Sequence, residues 1–408
     1  MMDGAGTVIV GGGQAAVEVA SALRANGYDR PIRIVSNEAH LPYQRPPLSK
    51  TYLSGAREAA SLMLRSPAFF LEKKIEVLLR QSAGNIRRNS RELVLASGQT
   101  LRYEALVLAT GASNRELPLA GARSPNVFSL RSLSDADSLQ RYIRPGLRWL
   151  VIGGGFVGLE VAATARQGGA GVSIVEAAPA LLSRATGAIT SAHIAKLHRD
   201  AGSEVITGTT VSALVHDQGR AVAALLRDGR TSECDVIFYG IGASANTQLA
   251  AQAGLEVERG ILVDTSMRTN DPHIFAVGDC AEHIDSRSMR RCRLESVQNA
   301  IDQAGVAARG ILGEAAQYTA LPWFWSDQFK TKLQIAGIGA GYTREVLRPG
   351  TDDASFSVFY FSASDQLLAV DSVNAPGEHM LARKLLSSST PVPTHMVADG
   401  SVDLRSLL

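Results

Sequence analysis

The chain has 408 residues, 45% of them apolar and 20% charged, with a formal net charge of +2. That is globular composition with room for two or three cores, and it excludes a disordered chain. A charge so near zero excludes nucleic-acid binding by bulk electrostatics, so any charged docking surface must be a local patch. Three cysteines, Cys234, Cys280 and Cys292, show no C-x-x-C or C-x4-C spacing. A disulfide framework, a cysteine-built metal site and a dithiol centre are therefore not expected. No apolar run reaches the roughly 18 residues of a membrane span, and the first strand starts too early to leave room for a targeting peptide. The expectation is a cytoplasmic protein with reduced thiols.

In chain order, Thr7–Val10 is a β-branched run, Gly11–Gly13 a turn, and Ala15–Asn26 a helical pattern that Gly27 stops. Ile32–Val35 is a second buried strand and completes a βαβ unit with a right-handed crossover. From Ser36 to Leu53 the chain is rich in proline and contains RPPLSK, Arg45 to Lys50, which predicts an irregular loop. Strands are expected at Glu92–Ala96 and at Ala105–Ala109, the latter running into Thr110 and Gly111. A second βαβ unit has strands at Trp149–Ile152 and Val172–Glu176 around a helix over Gly158–Gln167. Strand-rich sequence continues to Val236–Tyr239. Ile274–Val277 is a further short strand, closed by Gly278 and Asp279, and a long helix follows over Ser296–Leu312. Beyond Pro322, the runs PWFWSDQ, LQIAGIG, FSVFYF and LLAVDSV read as strands, with a helix over His379–Leu386 after them. The fold class is α/β: two Rossmann-type dinucleotide-binding domains plus a C-terminal α+β domain. The expected division is 1–112 with 244–320, then 113–243, then 321–408.

The two turns share one spacing, Gly11-x-Gly13-x-x-Ala16 and Gly153-x-Gly155-x-x-Gly158. The first glycine makes the tight turn, and the second lets backbone N–H groups approach a pyrophosphate. The third small residue lets helix and strand pack closely, and the helix N-terminus then faces the phosphates. Two such loops imply two dinucleotides. An acidic residue about 20 positions on should hold the adenosine ribose. Glu176 fills that place for the second loop, where its carboxylate would accept from a 2′-hydroxyl and repel a 2′-phosphate, favouring NADH over NADPH. For the first loop the place is Ser36-Asn37-Glu38, where Asn37 and Glu38 both stay open and Glu38 is preferred for its charge.

LVLATGA at Leu106–Ala112 and IFAVGDC at Ile274–Cys280 complete an order of parts that resembles the two-dinucleotide flavoprotein reductases of glutathione-reductase-like fold. RPPLSK, VIGGGFVGLEVAATA, ESVQNA and PWFWSDQ narrow the resemblance to the NADH-dependent ferredoxin reductases of bacterial oxygenase systems. The resemblance implies FAD on the first loop, at Gly11, Gly13, Ala15 and Ala16 with Thr110 and Gly111, and NADH on the second. Residues 1–112 and 244–320 would then form the FAD-binding domain and 113–243 the NADH-binding domain. It further implies that Lys50 lies beside the flavin, paired with Glu160 near the nicotinamide. Asp279 would bind the ribitol side, Val297 the pyrimidine end through its backbone N–H, and Arg131 would make a further FAD contact. At least one of Trp323 and Trp325, Trp325 by preference, would reach the flavin edge.

The implied activity is hydride transfer from NADH to FAD, then single-electron delivery to a [2Fe–2S] ferredoxin that serves a cytochrome P450 or a Rieske oxygenase. Three cysteines are too few to carry such a cluster, so the ferredoxin must be a separate protein. Two rivals share the two-loop plan: a rubredoxin- or monodehydroascorbate-type reductase, and an apoptosis-inducing-factor-like protein that nucleotides switch between binding states.

Overall fold

The computed structural model describes residues 5–352, 354–388 and 390–408, and the chain divides into two compact units. The first comprises Met1–Gln44, Ala59–Ser113 and Ala243–Ala320; the second comprises Arg45–Glu58, Asn114–Gly242 and Leu321–Leu408.

In the first unit a parallel sheet runs in the order Ile75–Leu78, Ile32–Val35, Gly6–Val10, Thr100–Leu108, Ile274–Ala276. Its centre is apolar and fully buried at Val8, Ile9, Ile34, Leu106, Val107 and Ile274, as expected for strands covered on both faces. Thr100–Leu108 starts earlier than the apolar run suggests. Its outer end alternates exposed and buried residues and pairs antiparallel with Glu92–Leu95, while its apolar end enters the parallel sheet. The helices Gln14–Ala25 and Val297–Ile311 pack on one another. Sequence order reverses between Gly6–Val10 and Thr100–Leu108, so Gly11–Gly13 sits at the topological switch point, where ligands of such sheets bind.

The second unit repeats the plan. Its parallel sheet runs Glu204–Thr207, Gly171–Glu176, Arg148–Ile152, Val236–Tyr239, Val127–Phe128. The C-terminal part is a five-stranded antiparallel sheet in the order Trp323–Gln328, Thr331–Gly337, Leu367–Val373, Phe356–Phe361, Arg344–Pro349. The helices Pro376–Ser387 and Thr394–Ala398 help close its core.

The proline-rich stretch departs from the irregular loop expected of it. Pro46–Ser49 forms one 3-10 turn, with proline in its first positions and with Pro47, Leu48 and Ser49 buried. Proline suits the start of such a turn because that N–H would have no partner anyway. The turn packs on the helices Leu133–Gln140 and Phe156–Gln167.

Candidate active site

In the first unit, Gly11 has φ +125°, and a Cβ there would lie 2.1 Å from the Ala109 carbonyl oxygen. Only glycine fits. Gly13 is the N-cap of the helix Gln14–Ala25, with no side-chain cap and no acid in its first turn. A Cβ on Gly13 would meet nothing within 4 Å. No side chain of the N-cap satisfies the orphan N–H groups of this helix, the arrangement in which a helix start can take an anion. The helices Leu133–Gln140 and Val297–Ile311 differ in this: Ser132 and Asp135 form a capping box on the first, and Ser296 caps the second. Ala15 and Ala16 are buried against the core.

Two more turns leave neighbouring parallel strands at the same edge. Thr110 donates its hydroxyl to the Asn246 carbonyl at 2.7 Å, and Asn246 returns its side-chain N–H to the Thr110 carbonyl at 2.9 Å. Gly111 adopts φ +66°. Asp279 lies in the 3-10 turn Gly278–Cys280, anchored by the Gly278 N–H on Gln303 Oε1 at 2.8 Å and by Arg293 on the Asp279 carbonyl at 3.0 Å. Asn37 is exposed, whereas Glu38 is half-buried and accepts from the Tyr43 phenol.

In the second unit, Gly153 has φ +108°, with a Cβ position 2.5 Å from the Gly240 carbonyl oxygen. Gly155 is again an N-cap without a side-chain bond, open on its Cβ side. Glu176 ends its strand beside this loop. Its Oε2 accepts the Gly154 N–H at 2.6 Å and its Oε1 accepts the Ala178 N–H at 2.7 Å, leaving the outer lone pairs of both oxygens for further donors.

The same unit assembles Lys50 and Glu160. Glu160, on the helix Phe156–Gln167, is 4% exposed. Its Oε2 accepts from Lys50 Nζ at 2.7 Å and from Ser49 Oγ at 2.5 Å, and its Oε1 accepts from Ser326 Oγ at 2.6 Å. A buried carboxylate needs this many donors to offset its lost hydration. One turn along, Thr164 donates to the Ser49 carbonyl at 2.8 Å, so the helix grips the proline turn at two points. Lys50 also donates to the Pro46 carbonyl at 3.2 Å. Ser49, Thr164 and Ser326 escaped the sequence reading. All three lie inside the quoted motifs, where the charged and aromatic members carry the pattern.

Arg131 holds its loop through the backbone: its carbonyl accepts from Arg45 at 2.6 Å and its N–H donates to Asp135 at 3.0 Å. Trp325 is half-buried, its ring 5.7 Å from that of Trp323, which in turn lies 5.6 Å from His379. Alternation along the strand puts both tryptophans on the face opposite Phe324 and Ser326. Phe324 packs on Phe156 of the glycine-loop helix at 4.5 Å.

All three cysteines are free. Burial pushes the Cys234 thiol to about 11 and that of Cys292 to about 12, and raises that of Cys280. None is a thiolate nucleophile at neutral pH. Among the described residues no cluster of His, Cys, Asp or Glu could hold a metal, and no helix is long and apolar enough to cross a membrane.

Residues 6–304 match the pyridine nucleotide-disulphide oxidoreductase family, and residues 323–408 match the reductase C-terminal family. The chain belongs to the pyridine nucleotide-disulphide oxidoreductases. This oxidoreductase is similar to rhodocoxin reductase of Rhodococcus erythropolis, 40% identical over 398 residues that cover 98% of this chain and 93% of the relative. It is equally similar to putidaredoxin reductase of Pseudomonas putida, 40% identical over 406 residues, covering 98% and 96%. Its structure resembles that of the covalent putidaredoxin reductase–putidaredoxin complex, with a TM-score of 0.95 and 39% identity over 99% of this chain and 98% of that one. The expected α/β class with a C-terminal α+β part is the fold this oxidoreductase has. The disulphide of the family description has no counterpart here, because no two of its three thiols pair.

Proposed function

We propose that this oxidoreductase is an FAD-containing ferredoxin reductase, which draws electrons from NADH and delivers them singly to a [2Fe–2S] ferredoxin serving a cytochrome P450 or a Rieske oxygenase. The observation that carries the reading is two glycine-loop helix starts, both without a side-chain cap, together with an ion pair of Lys50 on the buried Glu160. The partner rests on the likeness to a reductase solved in covalent complex with its putidaredoxin. We place the protein in the cytoplasm.

FAD would be held by the first loop, Gly11 to Ala16, with Glu38, Thr110, Gly111, Asp279 and Val297; Arg131 and Trp325 belong to the same proposal. NADH would be held by Gly153, Gly155, Gly158 and Glu176. On this reading 1–112 with 244–320 form the FAD-binding domain, 113–243 the NADH-binding domain and 321–408 the C-terminal domain. When bound, FAD takes two electrons from NADH and releases them one at a time, matching a two-electron donor to a one-electron acceptor.

The chain's own residues bind, orient and tune. Helix N-termini at Gly13 and Gly155 neutralise pyrophosphate charge. Glu176, aimed by two backbone N–H groups, takes ribose hydroxyls and repels a 2′-phosphate. Lys50 supplies a positive charge that favours the reduced cofactor, and Glu160 holds that charge in place.

The purified protein should be yellow and carry FAD in stoichiometric amount, and NADH should bleach it without oxygen. A colourless chain that cannot be reconstituted with FAD would end the reading. Lys50→Met and Glu160→Ala should each slow flavin reduction while leaving FAD bound, as stopped-flow absorbance reports. Turnover with a [2Fe–2S] ferredoxin should exceed turnover with rubredoxin or monodehydroascorbate; the reverse order would reassign the acceptor.

A further inference from the structure

The hydrogen bonds around Glu160 do not end at Ser326. Ser326 Oγ lies 3.2 Å from Gln328 Nε2, and Gln328 Oε1 lies 3.0 Å from His198 Nε2. Glu160, Ser326, Gln328 and His198 are all buried, none more than 4% exposed. They connect the helix Phe156–Gln167, through the strand Trp323–Gln328, to the helix Ala188–Asp200.

Every direction in this chain is forced by the one before it. Glu160, ion-paired with Lys50, can only accept. Ser326 has a single proton, and at 2.6 Å from a carboxylate oxygen that proton points to Glu160 Oε1. Toward Gln328 the serine oxygen can then only accept, so the amide nitrogen faces it and the amide oxygen faces the imidazole. The reverse amide orientation would set two acceptors, the Gln328 amide oxygen and the Ser326 oxygen, in contact. His198 Nε2 must therefore carry a hydrogen. Burial lowers the His198 pKa and keeps the ring neutral, so Nδ1 is bare, and it has no hydrogen-bond partner among the described residues. The edge-on ring of Phe329, 5.2 Å away, supports the imidazole plane.

We infer that Ser326 and Gln328 are positioning residues for the Lys50–Glu160 pair, the middle of a one-way relay from His198 in which each donor points toward the carboxylate. The inference rests on the proposed role of that pair. By occupying Oε1, the relay leaves Oε2 to Ser49 and to the ammonium of Lys50. Donors aligned in series strengthen one another, so loss of an outer member weakens the inner bond.

The test compares Ser326→Ala, Ser326→Thr, Gln328→Met and Gln328→Glu. Flavin reduction is followed at saturating NADH, and His198 is observed by nitrogen-15 NMR of histidine-labelled protein, with and without FAD, its signals assigned by their loss in His198→Asn. Wild type should show a neutral Nε2–H tautomer. Ser326→Ala should slow reduction about tenfold or more, the loss of one hydrogen bond to a charge, without raising the KM for NADH, and Ser326→Thr should restore most of the rate. Gln328→Met removes a donor, whereas Gln328→Glu puts an acceptor in its place and turns the Ser326 proton away from Glu160. The near-isosteric glutamate should therefore be slower than methionine; a role in packing alone predicts the opposite order. An Nδ1–H or charged His198 in wild type, an unchanged Ser326→Ala rate, or Gln328→Glu faster than Gln328→Met would overturn the relay. Wild-type rates in Lys50→Met and Glu160→Ala would instead sink the catalytic reading, and the tautomer would still decide the relay.

Discussion

The first and second glycine loops set the same backbone against different neighbours. In each, the loop's first N–H donates to the last paired residue of the adjacent strand: Gly11 to the Val35 carbonyl and Gly153 to the Val175 carbonyl, both at 2.8 Å. Val10 is in register with Val35, and Ile152 with Val175. The next residue along is therefore equivalent in the two units, and it is Ser36 in one and Glu176 in the other. Ser36 crowds its loop, its Oγ 2.4 Å from where a Cβ on Gly12 would stand. Glu176 reaches across and accepts from the loop's middle N–H, that of Gly154. The first unit's acid comes two residues later, at Glu38, and accepts from the Tyr43 phenol instead. Strand register makes the turn; on the proposed function, the residue one beyond the shared register decides which sugar and phosphate the turn can serve.

The largest effects should come from the glycines the two loops have in common. Gly11→Ala, at φ +125° and against a carbonyl, should give colourless protein. Gly153→Ala should stay yellow and bleach with dithionite. Its reduction by NADH should fall about a hundredfold, for backbone strain of about 2–3 kcal/mol. Spectra of the two variants separate the loops, and a colourless Gly153→Ala would mean that they do not act separately.

Next comes the third small residue. A Cβ on Gly158 would lie 2.2 Å from the Gly153 carbonyl oxygen, while the first loop accommodates Ala16 fully buried. Gly158→Ala should raise the KM for NADH about tenfold, an overpacking cost, and Ala16→Gly should leave FAD binding nearly intact. Equal tolerance of both would show that the helices stand equally far from their strands.

Glu176→Gln should shrink the preference for NADH over NADPH by about tenfold, one charge-assisted hydrogen bond. Glu38→Gln should leave that preference untouched. A change in the second variant but not the first would exchange the roles assigned to the two acids.

The smallest effect on turnover, and the clearest with pH, concerns Asp371 in the C-terminal sheet. It is fully buried, and burial pushes its carboxyl up to about 7; the Tyr360 phenol donates to its Oδ2 at 2.5 Å. An unfolded aspartate ionises near pH 4, so the folded chain keeps a proton that the unfolded chain releases. Its stability contribution is full below about pH 4 and is lost as pH rises to about 7, an amount on the order of a few kcal/mol. The stability of Asp371→Asn relative to wild type, from urea midpoints, should improve over that window. A difference that stays constant with pH would remove Asp371 as the cause.

Strands with compact apolar runs were legible to the residue: Ile32–Val35, Val236–Tyr239, Phe356–Phe361 and Leu367–Val373 stand where their patterns end. The second glycine-loop helix begins at Phe156 rather than Gly158, because Gly155 is its N-cap and the glycine pattern hid the first turn. RPPLSK was read for its rigidity, but a 3-10 turn has no periodicity long enough to see in so short a stretch. Lys50 and Glu160 were named through resemblance alone, since 110 positions separate them. Ser49, Ser326 and Gln328 lie inside the quoted motifs without marking their roles, and His198 lies outside every motif. Small hydroxyls and a lone amide acquire roles only when three distant segments converge on one carboxylate.

Pro46 and Pro47 give the turn before Lys50 a meaning beyond its shape. Their rings fix φ before the chain folds, so little conformational freedom remains to be lost when the ammonium is placed. With the Ser49 carbonyl held by Thr164 and Glu160 held by two serines, neither partner of the ion pair has slack to take up. If Lys50 stands beside the cofactor as proposed, its charge requires no rearrangement of its surroundings as electrons arrive and leave. On that account the stiffness of six residues is a kinetic property of the enzyme as much as a structural one.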